Sequence, residues 1–264
     1  MAPAGEFWPG LVAAVLALPP GELALAMAAV FAGYLVLGLT GFGSALVAVP
    51  LLAWLWPLAW VVPLVLLIDL PSLLLHTWLN RRAVAWGEIP RLVPWVVIGA
   101  ALGVLLVRHA PAALLLGALG LYVVAVGWRG WRGSAPPKPA PPGAAWLAGL
   151  AIGVVESLYG TAGPVVMAWL QRRITEARVL RATLPAVFLL MVVAALGAVG
   201  GSGGLAQPPL WPRLVALVPA ALLGVWIGHH LAARVAQDRL LRWTYALLVA
   251  SGLTMLWRAA TLTG

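Results

Sequence analysis

Apolar runs alternate with short polar connections along most of this chain. They form two groups of five, one on each side of a proline-rich stretch. Several runs approach the roughly 20 residues that a membrane-spanning helix needs, and their Leu, Val and Ala content favours helices. The pattern therefore predicts an all-α polytopic membrane protein. The runs are 22–40, 41–57, 58–80, 91–107 and 112–128, then 146–158, 161–171, 182–200, 213–230 and 243–260.

Composition supports the membrane prediction. Of 264 residues, 63% are hydrophobic and 9% are charged, and the mean hydropathy of +1.02 is far above that of soluble domains. The chain contains no Cys, which excludes disulfides and thiolate metal sites. The net charge of +9 lies in short loops, so it indicates membrane topology and not a nucleic-acid partner.

The two halves resemble each other. The Pro-rich stretch 134–143 reads as an extended cytoplasmic linker between two transmembrane repeats, 1–133 and 144–264. The segment 41–45 aligns with 160–164, and the spacing Pro-x4-Gly-x3-Gly occurs in both 94–103 and 219–228. We interpret the glycines of the second pattern as packing positions, because small residues allow helices to cross closely.

Loop charges predict the orientation. The loops 81–91, 129–145, 172–181 and 231–242 hold thirteen of the sixteen Lys and Arg residues, so we place these loops in the cytoplasm. The span 58–80 then runs inward and its counterpart 182–200 runs outward. The repeats are therefore predicted to be inverted.

Each half contains an apolar stretch broken by glycines, at 38–44 and at 157–164. Unwound backbone at membrane depth is tolerated only where it is buried in protein or lines a cavity. The pieces 146–158 and 161–171 are too short to span, which predicts two re-entrant half-helices meeting near the midplane. The first copy is longer, and two tilted full spans remain an alternative.

The breaks predict an anion site. A helix N-terminus presents unpaired N–H groups and the positive end of its dipole, and nearby hydroxyls add donors. The alternative is that these glycines only permit tight helix crossings. The residues predicted to bind a small anionic substrate are Thr40, Gly41, Phe42, Gly43, Ser44, Ser157, Tyr159, Gly160, Thr161, Ala162 and Gly163.

Three ionisable residues are candidates for proton coupling. Asp69 lies inside an apolar span, with His76 on the same helical stripe, and Glu156 directly precedes the second break. His76 at the interface would merely be solvated, and Glu156 paired with a buried Arg would be structural. Arg178 and Arg181 can reach the site or act only as topology signals.

Enzymatic and metal chemistry have no support in the sequence. No phosphate-binding loop, paired catalytic carboxylates or Ser/His/Asp arrangement occurs, and the His residues have no partner at metal-ligand spacing. We therefore expect neither a cofactor nor a metal.

At the breaks the chain resembles the sulfite exporter TauE/SafE family. The resemblance rests on Gly38-x-x-Gly41-Phe-Gly43-Ser44 followed by Pro50-Leu51, on Gly160-Thr161-Ala162-Gly163-Pro164, and on Arg181-Ala182-Thr183. It implies a bacterial inner-membrane transporter of small sulfur-containing or organic anions such as sulfite, sulfonates or thiosulfate, linked to protons.

Three functions remain open from the sequence: a secondary carrier working by alternating access, an uncoupled anion channel of the same architecture, and a structural membrane protein. Proton dependence and counterflow separate the first two. Asp69 and Glu156 argue against the third, since charge at membrane depth is costly without a function. The partners expected are the anion, protons and membrane lipid, and the oligomeric state stays undetermined.

Overall fold

The computed structural model describes residues 19–40, 43–132, 139–208, 210–232 and 237–262, together with residue 15. In these ranges the chain is helical and has no strands. The helices are α1 Pro20–Thr40, α2 Ser44–Leu52, α3 Leu58–Asn80, α4 Ile89–His109, α5 Ala112–Arg132, α6 Ala145–Tyr159, α7 Gly163–Leu170, α8 Ala177–Gly201, α9 Leu210–Ala232 and α10 Gln237–Thr261, with short 3-10 turns at Trp86–Glu88, Pro142–Ala144 and Gly204–Ala206.

The all-helical prediction is confirmed. Six of the described helices are long and apolar enough to cross a membrane, and they correspond to α1, α3, α4, α5, α8 and α9. The helix α2, in contrast, has only nine residues. The alternative that 41–57 forms a full span is therefore wrong, because nine residues rise only about 14 Å.

Helix pairing crosses between the two halves of the chain. Four helices of the first half each pack along one helix of the second half. The pairs are α1 with α9, α4 with α6, α5 with α10 and α3 with α8. Glycines make the first two contacts close, as the sequence predicts. A Cβ on Gly224 would lie 2.7 Å from the carbonyl oxygen of Phe31, and one on Gly103 would lie 2.9 Å from that of Val154.

The short helix α2 folds back along α1. A Cβ on Gly33 would lie 2.6 Å from the carbonyl oxygen of Ser44 and 2.8 Å from the Cβ of Ala48. Beyond α2, the indole nitrogen of Trp56 donates a hydrogen bond to the carboxylate of Glu22, at the beginning of α1. The chain thus returns to the end of α1 from which it started.

The helices α6 and α7 form a second hairpin of the same kind. The backbone N–H of Ala140, just before α6, donates to the carbonyl oxygen of Arg172, just after α7, at 3.2 Å. The Arg173 guanidinium donates to the carbonyl oxygen of Ala140 at 3.0 Å and to the buried carboxylate of Glu88 at 2.8 Å. These hydrogen bonds to Glu88 raise the pKa of Arg173 and hold the hairpin to the beginning of α4.

The outer surface of the bundle is apolar. Large side chains such as Leu222, Leu121 and Trp78 are more than half exposed. Surfaces of this kind face lipid, and not water, in a polytopic protein. Exposed tryptophans lie near helix ends, where Arg81 stacks on Trp78, as expected for residues at a membrane interface.

Candidate functional site

Glycines in the left-handed region end or begin the helices at both breaks. Gly43 precedes α2 with φ 93°, and Gly160 follows α6 with φ 63°. Because only glycine adopts these angles without strain, the backbone leaves the helical path at these positions. The N–H of Gly160 donates to the carbonyl oxygen of Glu156 at 2.6 Å and closes the last turn of α6.

In the first half, Asp69 meets the helices on either side of the break. The hydroxyl of Tyr34 on α1 donates to its Oδ1 at 2.6 Å, and the hydroxyl of Ser44 on α2 lies 3.4 Å from the same oxygen. Tyr34 and Ser44 are buried and Asp69 is half-buried. The carboxylate is thus held by hydroxyl donors, and no arginine donates to it among the residues that the structure describes.

In the second half, the carboxylate lies within the break itself. Glu156 is 1% exposed, and its Oε2 accepts a hydrogen bond at 3.0 Å from the N–H of Ala162, the residue before α7. No salt bridge joins this carboxylate to an arginine among the described residues, and the side chain of Arg181 lies outside them. The Tyr122 hydroxyl on α5 donates to the carbonyl oxygen of Thr161 at 2.8 Å and fixes the unwound backbone from the other side.

Two hydroxyls beside Glu156 have no hydrogen-bond partner among the described residues. They belong to Ser157 and Thr161, which are 2% and 3% exposed. A buried hydroxyl without a partner costs about 1–3 kcal/mol, so these groups mark a place where a ligand would be stabilised. The predicted residue Tyr159 is buried nearby, and a Cβ on Gly163, the first residue of α7, would lie 3.8 Å from the ring of Phe188.

Two cavities lie at opposite ends of the contact between α3 and α8. The first, which we call the Arg108 cavity, measures about 350 Å³ and reaches from Arg108 and Gln207 to Ser157. The second, the Arg178 cavity, measures about 610 Å³ and is lined by Leu79, Asn80, Arg82, Ala83, Arg178 and Ala182.

An apolar contact separates the two cavities. It consists of Val62 and Leu66 from α3 against Val192, Ala195 and Leu196 from α8. A Cβ on Gly160 would lie 3.8 Å from the side chain of Leu66, so the second break borders this closed region.

Some predicted site residues lie elsewhere or cannot be placed. Gly41, Phe42 and the side chains of Thr40 and Arg181 lie outside the described residues. His76 is exposed on α3, and the hydrogen bonds to Asp69 come from other residues. Thr183 is fully buried, and its hydroxyl oxygen accepts the N–H of Ala85 at 2.9 Å, which ties α8 to the loop between α3 and α4.

Sequence reasoning missed Tyr34, Tyr122 and Gln207. A phenol within an apolar span needs a hydrogen-bond partner, so the two tyrosines carried a usable signal. Gln207 carried no such signal, because it lies in the loop between α8 and α9. Only the folded structure shows that it lines the Arg108 cavity.

Together, the spanning helices, the broken hairpins and the two carboxylates within the bundle define a polytopic membrane transport protein. Residues 25–255 match the family described as sulfite exporter TauE/SafE. The chain belongs to this family, whose members are transporters and not enzymes.

One relative extends the comparison. The chain is 37% identical over 199 residues to the "Probable inner membrane transporter protein TsaS" of Comamonas testosteroni, covering 74% of this chain and 83% of the relative. No solved structure matches the chain.

Proposed function

We propose that this protein is a secondary transporter that carries small sulfur-containing or organic anions across the inner membrane together with protons, by alternating access. The observation that carries the proposal is the pair of cavities at opposite ends of the α3–α8 contact, with a closed apolar region between them. A carrier that exposes its site to one side at a time needs this arrangement. The name of the Comamonas relative supports the inner membrane as its location.

The proposed site lies at the two breaks, between residues 43–44 and 156–163. Its donors are the hydroxyls of Ser157 and Thr161 and the backbone N–H groups before α7. Donors of this kind suit an oxyanion, because they stabilise negative charge without a fixed cation that would prevent release.

Inverted repeats joined by the linker 134–143 are part of the proposal. The crossed packing of α1 with α9 and of α4 with α6 supports a twofold relation between the halves. So do the two hairpins, one tied off at Glu22 and the other at Glu88. The second hairpin is held at Glu88, next to the basic loop that follows Asn80, and the first is held at Glu22, near Arg213. The positive charge of that loop favours the cytoplasmic side for the second hairpin and the opposite side for the first.

Proton coupling is proposed for Asp69 and Glu156. Both carboxylates lie in the apolar bundle, and they are close enough for their charges to interact. Ionisable groups at this depth serve proton or ion pathways more often than structure. His76 stays a weaker candidate because it is exposed.

Flux into proteoliposomes tests the proposal. Labelled sulfite, thiosulfate and a small sulfonate are offered with and without a pH gradient, and we expect accumulation of at least one anion against its gradient. Gly43→Leu and Gly163→Leu should abolish flux while the proteins still insert, since a side chain would fill the breaks. Flux without counterflow or proton dependence would favour the anion channel instead.

Labelling of single cysteines tests the topology. Gly143→Cys and Gln171→Cys, before and after the second hairpin, should react from the cytoplasmic side, and Ala206→Cys from the opposite side. Reaction of all three from one side would contradict the inverted arrangement.

A further inference from the structure

We propose that the Glu156 carboxylate is a built-in anion that occupies the backbone donors before α7, and that the transported anion enters only when protonation releases this carboxylate. The inference rests on the proposed function and specifies how a proton and an anion become linked at one break.

The hydrogen bond from Ala162 to Glu156 is the first observation. The Oε2 of Glu156 lies 3.0 Å from the amide nitrogen that an incoming oxyanion would use. Pro164 has no N–H, and the N–H groups of Val165 and Val166 both donate to the carbonyl oxygen of Ala162, at 2.9 and 3.0 Å. The donors left at this N-terminus are those of Ala162 and Gly163. With so few donors, the carboxylate and a second anion compete for the same place.

The two hydroxyls of the break are the second observation, independent of the helix N-terminus. Ser157 and Thr161 both precede Ala162 in the chain, are at least 97% buried and lack hydrogen-bond partners among the described residues. Glu156 satisfies the amide but leaves both hydroxyls unsatisfied. An anion with three or four oxygens satisfies more of these donors than one carboxylate does, which favours exchange once the carboxyl is neutral.

The surroundings of Glu156 leave few other groups to hold a proton. Asp69 on α3 and Tyr122 on α5 interact with its charge. The helices α4 and α8, which also pack on α6, carry their ionisable side chains only near their ends, and α7 carries none. Asp69 is held by the hydroxyls of Tyr34 and Ser44 and does not occupy backbone donors of α7.

Competition by an ionised carboxylate has a defined signature. If one proton must bind before one anion, the anion dissociation constant rises with pH by up to tenfold per pH unit above the pKa of the carboxyl. The same linkage makes one proton travel with each anion.

The test measures thiosulfate binding to the purified protein in lipid nanodiscs by calorimetry, from mildly acidic to mildly alkaline pH. Thiosulfate keeps its charge over this range, so any slope belongs to the protein. We expect the wild-type dissociation constant to rise with pH. Glu156→Gln, which keeps a hydrogen-bond acceptor, and Glu156→Ala, which vacates the site, should both bind without a pH slope and at least as tightly as the wild type at its acidic limit.

One further variant serves as the comparison. Glu176→Gln, which neutralises an exposed carboxylate before α8, should keep the wild-type slope. The inference is overturned if both Glu156 variants keep the wild-type slope or bind more weakly at every pH, even while proteoliposomes still transport the anion. If the wild type neither binds nor transports any test anion, the proposed function fails, and this inference fails with it.

Discussion

Replacing Gly33 with Ala should separate α2 from α1 and disturb the first break. The new Cβ would lie 2.6 Å from the carbonyl oxygen of Ser44 and 2.8 Å from the Cβ of Ala48. Ordinary contacts between carbon and a carbonyl oxygen are about 3.3 Å or longer, so α2 must retreat by roughly 0.7 Å. The oxygen belongs to the backbone, and no side-chain rotation can relieve the contact.

The cost follows from two opposing effects. Forcing an extra methyl group into a packed contact costs about 1–3 kcal/mol, whereas Gly to Ala in a helix returns up to about 1 kcal/mol. We expect a net loss of roughly 1–2 kcal/mol, or several degrees in the melting temperature. The displacement also moves Ser44, whose hydroxyl already lies 3.4 Å from Asp69, so anion flux should fall as well.

The assay is thermal unfolding in detergent, followed by size-exclusion chromatography, with flux in proteoliposomes as the second reading. Gly197→Ala is the matched control, because Gly197 lies within α8 and a Cβ there would meet no atom within 4 Å. The control should be as stable as the wild type or slightly more stable. Equal melting temperatures for Gly33→Ala and Gly197→Ala would refute the close packing of α2 on α1.

Three more substitutions test separate parts of the site. Gly160→Ala should lower the free energy of unfolding by about 1–2 kcal/mol, since φ is 63° there. Gly163→Ala is the control and should be tolerated, because Gly163 has no positive φ. Equal melting temperatures for the two variants would contradict this account of the break. Tyr34→Phe removes the 2.6 Å hydrogen bond to Asp69, so we expect a loss of roughly 1–3 kcal/mol and weaker proton-driven accumulation, and unchanged accumulation would argue against a role in coupling. Glu88→Gln removes the charge that two arginines contact and should cost about 1–3 kcal/mol in thermal unfolding; a wild-type melting temperature would show that this ion pair does not anchor the second hairpin.

The breaks could be predicted from the sequence because their cause is local. Glycines beside polar residues interrupt an apolar run and favour a break in the helix, and α1 and α6 do end at Thr40 and Tyr159. The length of α2 was harder to predict. Residues 41–57 are apolar except for Ser44, and the turn after Leu52 and the contact of Trp56 with Glu22 show that the chain folds back early.

The partners of Asp69 could not be predicted, because they come from other helices. Tyr34 precedes Asp69 by 35 positions and Ser44 precedes it by 25. Helical periodicity on α3 pointed instead to His76, which shares a stripe with Asp69 but is exposed. Periodicity identifies a common face of one helix, whereas the bond that a side chain makes depends on which neighbour covers that face.

The two breaks differ in their local chemistry. In the first half the carboxylate of Asp69 lies on α3 and receives hydroxyl hydrogen bonds from both sides of the break. In the second half the carboxylate of Glu156 belongs to the broken helix and receives a backbone N–H. A hydroxyl can turn toward another acceptor when the carboxyl becomes neutral, but a backbone amide keeps its direction and must find a new anion. Protonation is therefore expected to rearrange side chains at Asp69 and to open a vacant site at Glu156, and we expect proton and anion to exchange at the second break.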